Sequence, residues 1–300
     1  MENGFYYHVH GFKLHSEIEC PELLPTSVGT PDILVRLGSL VHIPQHETHP
    51  HQGYCIEGMH MLLNIKDVGR FSVKAGREII VDPVPDAETK MIRLFLLGTA
   101  LGCILHQRGL LPLHANAFLH KGEAVLVLAH SGTGKSTLAA AMKNKGCTIL
   151  SDDVCAIQVE SGKMPEIYPG IPQIKLWKDA AAHLGEDTSA MLRVIQNEEK
   201  YVLPVREPYR GHSAPIKALY VLDIHNQASP QITELTQIEK IDALRKHTYR
   251  KGMVSKLGIT SANLKACANL AQSVRMQMIS RPKNGFLLDE LTDLLEADLQ

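Results

Sequence analysis

A chain of 300 residues, 44% apolar and 21% charged, has the makeup of a folded protein with one large or two modest domains. A net charge of −1, with no basic stripe interleaved with aromatics, argues against nucleic acid as a partner. The six cysteines (20, 55, 103, 147, 155 and 267) show no C-x-x-C spacing, no secretory signal is evident, and the longest apolar stretch, 91–105, is interrupted by Arg93. The expectation is a cytoplasmic protein with reduced thiols and no membrane span.

In chain order, residues 6–10, 12–15, 32–36, 60–64, 71–74 and 78–81 alternate apolar and polar between turn residues. Residues 1–86 are therefore expected to form a small, mostly antiparallel β-rich domain. His42, His46, His49, His51 and His60 crowd one segment with Glu47, Cys55 and Glu57, but match no zinc-ligand spacing and read as a surface loop. Residues 87–108 then place Met91, Leu94, Leu96, Leu97, Leu101, Ile104 and Leu105 at helical spacing. Gly98 and Gly102 on that helix would permit close packing.

The second domain, 87–300, centres on residues 113–154, LHANAFLHKGEAVLVLAHSGTGKSTLAAAMKNKGCTILSDDV. A strand carrying His114 is expected at 113–118, a buried strand at 123–128, a helix at 135–145 and a strand at 148–150. Further on, a hairpin turns at Ser161 and Gly162, helices are expected at 176–184 and 188–196, and a strand at 216–224. Residues 236–295 read as mainly helical, with a short strand at 285–288.

Between the buried strand and its helix, residues 129–136 match the phosphate-loop pattern G-x-x-x-x-G-K-[ST], with Ala129 in place of the first glycine. Ser131, Gly132, Thr133, Gly134, Lys135, Ser136 and Thr137 are the candidate nucleotide-binding residues. Glycine lets backbone N–H groups turn inward on phosphate oxygens, and the helix N-terminus adds partial positive charge. Lys135 would reach the β/γ-phosphates and Ser136 would take Mg²⁺.

Asp152 and Asp153 follow after one helix and one strand. In a parallel βαβ unit they would lie beside the phosphate loop, one carboxylate serving the metal and the other the attacking hydroxyl. His114 is a further candidate beside phosphate, while His120 and His130 rank below it. Arg206 and Arg210 are candidates for charge stabilisation at the γ-phosphate. Arg193 and Lys200 read as surface charge.

The order LHANA, AHSGTGKSTLA and ILSDDV, with the later YPGIPQIKLW at 168–177, resembles the catalytic domain of the HPr kinase/phosphorylase family. It is similar in particular to the HPr-kinase-like proteins encoded with lasso peptides, which phosphorylate a precursor peptide on its C-terminal serine. The resemblance covers residues 88–225. It implies an α/β catalytic domain (α+β over the whole chain) like that of phosphoenolpyruvate carboxykinase, preceded by the β-rich domain, and self-assembly of unstated number.

It also implies ATP and Mg²⁺ as cofactors and a serine hydroxyl of a peptide or protein as acceptor. His114, Lys135, Asp152 and Asp153 become the catalytic residues, and Ser136 and Asp153 the metal side, with the base left open between the two aspartates. The Glu-x-Arg-Gly loop of bifunctional relatives is missing, and Lys175 stands in that area, which speaks against the reverse phosphorylase reaction. The peptide would meet the β-rich domain. A small-molecule kinase, or a nucleotide-responsive regulator without turnover, are the rival readings.

Overall fold

A computed structural model describes residues 4–40, 53–189, 191–195, 198–283, 285 and 287–300. The histidines at 42, 46, 49 and 51 lie outside the described residues. The chain divides into two units, Met1–Pro112 with Tyr249–Asn263, and Leu113–Thr248 with Leu264–Gln300.

In the first unit β1 (Phe5–Val9), β2 (Phe12–Ser16), β3 (Leu24–Pro25), β4 (Ile33–Leu37), β5 (Tyr54–Glu57), β6 (His60–Ile65), β7 (Gly69–Lys74) and β8 (Glu78–Pro83) make one sheet. Its order is β3-β1-β2-β4-β8-β7-β6-β5. Alternation places Met61 and Leu63 of β6 inside, as a half-buried strand requires. Two pairings, β2–β4 and β4–β8, are parallel. Alternation cannot signal this, because both kinds of pairing share a period of two.

Helices α1 (Thr89–Phe95) and α2 (Leu101–Gln107) are joined by a π-helical turn, Leu96–Ala100. By length and composition this 19-residue run is apolar enough to cross a membrane, with mean hydropathy 1.3, and 61% of its most apolar window is buried within the protein. Gly102 lets the Tyr249 ring approach: a Cβ there would stand 2.7 Å from Cε1 of that ring. The returning segment is further tied down by Arg250, which donates to Thr99 Oγ1 at 2.8 Å. The unit therefore extends past residue 86 and takes in both the helical run and the returning segment.

Strand β9 (Leu111–Leu113) spans the boundary, and β10 (Ala115–His120), β11 (Glu123–Leu128), α3 (Lys135–Asn144), β12 (Thr148–Ser151), β13 (Cys155–Gln158), β14 (Glu166–Tyr168) and β15 (Gln173–Trp177) follow. Next come α4 (Lys178–His183), β16 (Lys200–Pro204), β17 (Ala214–His225), β18 (Gln231–Glu234) and α5 (Gln237–Lys246). After α6 (Gly252–Lys256), which belongs to the returning segment, the chain ends with α7 (Thr260–Ser273), β19 (Arg275–Pro282) and α8 (Leu288–Asp298). The main sheet of the second unit runs β12-β10-β11-β17, and β17 also pairs β14 and β19.

The expected βαβ unit is interrupted. Strand β12 pairs with β10, antiparallel, and β10 pairs with β11, antiparallel, so β10 lies between β11 and β12. The cause is the tight turn at Lys121 and Gly122, whose left-handed φ values of 51° and 87° fold β10 directly back onto β11. His114 sits just before β10 and so at the same sheet end as the loop.

Other elements also differ from expectation. Leu176 and Trp177 complete β15 before α4 begins. The described residues of 188–196 are not helical: Val194 N donates to Lys200 O at 2.8 Å and Arg193 bridges Tyr201, so this stretch runs beside β16. The late strand is β19 rather than 285–288, where Leu288 opens α8.

Phe118, Val125, Val127, Leu138, Tyr220, Ile279 and Leu295 form the core between the sheet and helices α3 and α8. Phe118 is fully buried there. Phe118→Ala is expected to destabilise the second unit by about 3–5 kcal/mol. Urea unfolding followed by the fluorescence of Trp177, the chain's one tryptophan, would show it. A loss below about 1 kcal/mol would contradict this packing.

Candidate active site

The apolar strand β11 ends at Leu128 and Ala129, both fully buried, and the chain turns sharply through 130–134. Gly132 and Gly134 have φ of 83° and 107°, a conformation that strains any L side chain, whereas Ala129 does not adopt it. An alanine is therefore tolerated where the signature has glycine. Helix α3 starts at Lys135 with no side chain capping its N-terminus, which leaves its first-turn N–H groups for an anion. Arg281, which lines the cleft, donates from Nε to Thr133 O at 2.8 Å and braces the loop.

A cleft of about 260 Å³ opens over this loop. Its floor is made by Ser131, Gly132, Gly134, Lys135, Ser136 and Thr137, with His130 at one side. Thr133 and Asp152 are buried just beneath. His114, Asp153, Lys175 and Lys200 line one wall, and Ala180, Leu288 and Leu291 contribute an apolar one. Arg206 and Arg210 are exposed and do not line it; His120, at the hairpin end of β10, does not either.

The two aspartates have different partners. Ser136 Oγ donates to Asp152 Oδ1 at 3.3 Å, and the backbone N–H of Lys175 donates to Asp152 Oδ2 at 2.8 Å. Asp153, with φ of 71°, turns the other way: Lys175 Nζ donates to its Oδ2 at 2.7 Å and Lys135 Nζ lies 3.9 Å from Oδ1. Burial, reinforced by the neighbouring Asp153 charge, pushes the Asp152 carboxyl up from the ordinary range. Burial acts the same way on Asp153 but is outweighed by Lys175, Lys135 and Lys200, which hold it well below that range. Asp153 is thus held ionised by its lysine neighbours.

His114 Nδ1–H donates to the Asp153 carbonyl at 3.0 Å, which leaves Nε2 as the ring's other nitrogen. Burial and the nearby Lys135 lower its pKa, so the imidazole is neutral near pH 7. Behind it, the His247 carbonyl accepts from His114 N at 2.7 Å, and the His247 ring lies 4.9 Å from that of His130. Burial, then His130, His114 and Lys135, bring the His247 pKa down to about 4.

His114, Lys135, Ser136 and Asp153 therefore share one cleft, with Asp152 directly below through Ser136. Lys200, expected as surface charge, lines the cleft instead; Trp177 and Arg281, which the sequence does not single out, line it too, and Lys175 gains Asp153 as its partner. For Lys175 and Trp177 the available signal was their position in YPGIPQIKLW; Lys200 and Arg281 reach the cleft through strands β16 and β19.

Bound Mg²⁺–nucleotide fits these residues: an uncapped helix N-terminus, two left-handed glycines, a buried lysine and a hydroxyl resting on a carboxylate. No group of three or more His, Cys, Asp or Glu suited to a metal occurs among the described residues. Mg²⁺ at Ser136 and Asp152 would complete its shell with phosphate and water oxygens, as it commonly does.

No protein-family model matches the chain, and no curated protein matches it. Among solved structures that do match is the Hpr(Ser) kinase/phosphatase from Coxiella burnetii, 13% identical, covering 63% of this chain and 87% of that one with a TM-score of 0.30. A likeness at that score identifies neither fold nor chemistry.

Proposed function

We propose that this chain is an ATP- and Mg²⁺-dependent kinase acting on a serine hydroxyl of a peptide or protein. The acceptor implied by the sequence resemblance is the C-terminal serine of a lasso-peptide precursor. The observation that carries the reading is that the two aspartates have different partners beside an uncapped helix N-terminus. Asp152, joined to Ser136, stands on the metal side, the arrangement a phosphate-loop hydroxyl and its carboxylate adopt around Mg²⁺. Asp153, ionised and facing the cleft, stands on the acceptor side.

When bound, Mg²⁺ supplies positive charge to the phosphate oxygens. Lys135 and the N–H groups of 131–137 hold the β- and γ-phosphates from the loop side. Asp153 orients the serine hydroxyl and accepts its proton as the seryl oxygen bonds to phosphorus and the bridging bond to the β-phosphate breaks. A carboxylate of low basicity suffices, because the transition state is loose and catalysis is mostly positioning and charge stabilisation. His114, fixed through Nδ1 on the Asp153 carbonyl, lines the cleft beside Asp153.

The test is incubation with Mg²⁺–ATP and three acceptors: a peptide ending in serine, an HPr-type protein and free serine, with mass spectrometry of each. Phosphate on the peptide alone is the expected result. Phosphate on free serine alone would move the assignment to a metabolite kinase, and transfer to none would abandon it.

A further inference from the structure

The antiparallel pair β15–β16 carries its side chains in two sets. Trp177 pairs with Lys200 and Lys175 with Val202, so these four share one face, while Ile174, Leu176 and Leu203 enter the core. Lys175, Trp177 and Lys200 all line the cleft. Two lysines of this region have acidic partners: Lys175 with Asp153 at 2.7 Å, and Lys178 with Glu199 at 2.8 Å. Lys200 makes no ion pair among the described residues; its ammonium lies 5.7 Å from the centre of the Trp177 ring. That indole is 44% exposed.

The cleft also holds Lys135 and Arg281 and the carboxylates of Asp153 and Asp179; Asp153 is already gripped by Lys175 at 2.7 Å, so the Lys200 ammonium is left for an incoming anion. Phosphate recognition belongs to the loop, which offers several N–H donors and Lys135. With Lys175 engaged by Asp153, the β15–β16 pair offers the Lys200 ammonium and the Trp177 indole, which suits a single negative charge next to apolar atoms.

Resting on the kinase reading above, we propose that Lys200, seated over Trp177, binds a carboxylate of the acceptor. The enzyme then takes hydroxyl acceptors that carry a carboxylate beside the reacting serine. Lys200 is a specificity determinant for the acceptor and not a phosphate ligand. Its electrostatic reach to Asp153 and His114 accords with that position.

Trp177 is the only tryptophan in the chain, so its emission reports this site without turnover. The full-length protein with Mg²⁺–ADP is titrated with a short serine-ending peptide as the free acid and as the carboxamide. The acid is expected to bind about tenfold tighter or more. A third peptide, a carboxamide with Glu after the serine, names the carboxylate's source: regained affinity supports a side-chain carboxylate, none supports the chain terminus.

Lys200→Met should erase the acid preference and leave ADP affinity within about twofold, and Lys200→Arg should retain the preference. Equal binding of acid and amide, or binding of neither, overturns the proposal. So does a Lys200→Met protein that loses ADP affinity but keeps the preference, since Lys200 would then serve the nucleotide. Acid-selective binding without phosphate transfer from ATP would overturn the kinase reading while leaving the carboxylate site in place.

Discussion

Alanine at Lys135 is expected to lower kcat/KM for the serine acceptor by about 10²–10³-fold, the range seen when one charge-stabilising donor is removed from a transition state. The lysine side chain is 6% exposed at the start of α3, and its ammonium, 3.9 Å from Asp153, has little freedom to point elsewhere. Its loss also removes one of the charges that depress Asp153, but Lys175 remains to hold that carboxylate in place. The fold should survive, because no core packing depends on the ammonium. Initial rates of peptide phosphorylation, with circular dichroism as the folding control, would check this. A folded Lys135→Ala protein within tenfold of wild type would remove the phosphate loop from the mechanism.

The second large effect concerns the aspartates. Asp153→Asn is expected to reduce kcat by about 10²–10⁴-fold, the contribution typical of a positioned base, with nucleotide affinity retained. Asp152→Asn should behave differently, because its partner is the Ser136 hydroxyl: the Mg²⁺ concentration needed for half-maximal rate should rise. Rate against Mg²⁺ concentration for both variants separates the two roles. If Asp153→Asn shifted the Mg²⁺ requirement and Asp152→Asn did not, the assignments would be exchanged.

The parts of the site that could be read from the chain are those made by neighbours in sequence. An apolar run, two glycines and a Lys-Ser pair opening an Ala-rich helix specify β11, the loop and α3 by local rules, and the observed bounds differ by no more than a residue from those expected. The aspartates were legible as a pair but not in their separate roles. Those depend on which way the chain turns at Asp153 and on a lysine from β15 that grips one carboxylate with its backbone and the other with its side chain.

Lys200 illustrates the remaining gap. In sequence it is one charge in a polar stretch, NEEK, and solvated charge is the ordinary reading. Its place in the cleft follows from the pairing of β16 with β15, and the register of two strands separated by a helix leaves no local mark. The same holds for β10, whose insertion between β11 and β12 is set by a two-residue turn rather than by any feature of the strands it separates. For β19 the polar residues within RMQMISRP obscured the strand, which pairs β17 on one side and β18 on the other.

Helix α2 was shaped to receive a side chain that is made much later. Gly102 keeps a space for the ring of Tyr249, and His106 Nε2 meets the Tyr249 carbonyl at 2.8 Å. On the ribosome, all of Met1–Pro112 therefore emerges without the piece that completes its unit, and the intervening Leu113–Thr248 must be synthesised first. That second unit is itself unfinished until Leu264–Gln300 is added. A nascent chain arrested before Tyr249 holds neither unit whole, because each unit is closed by a segment made after the other has begun.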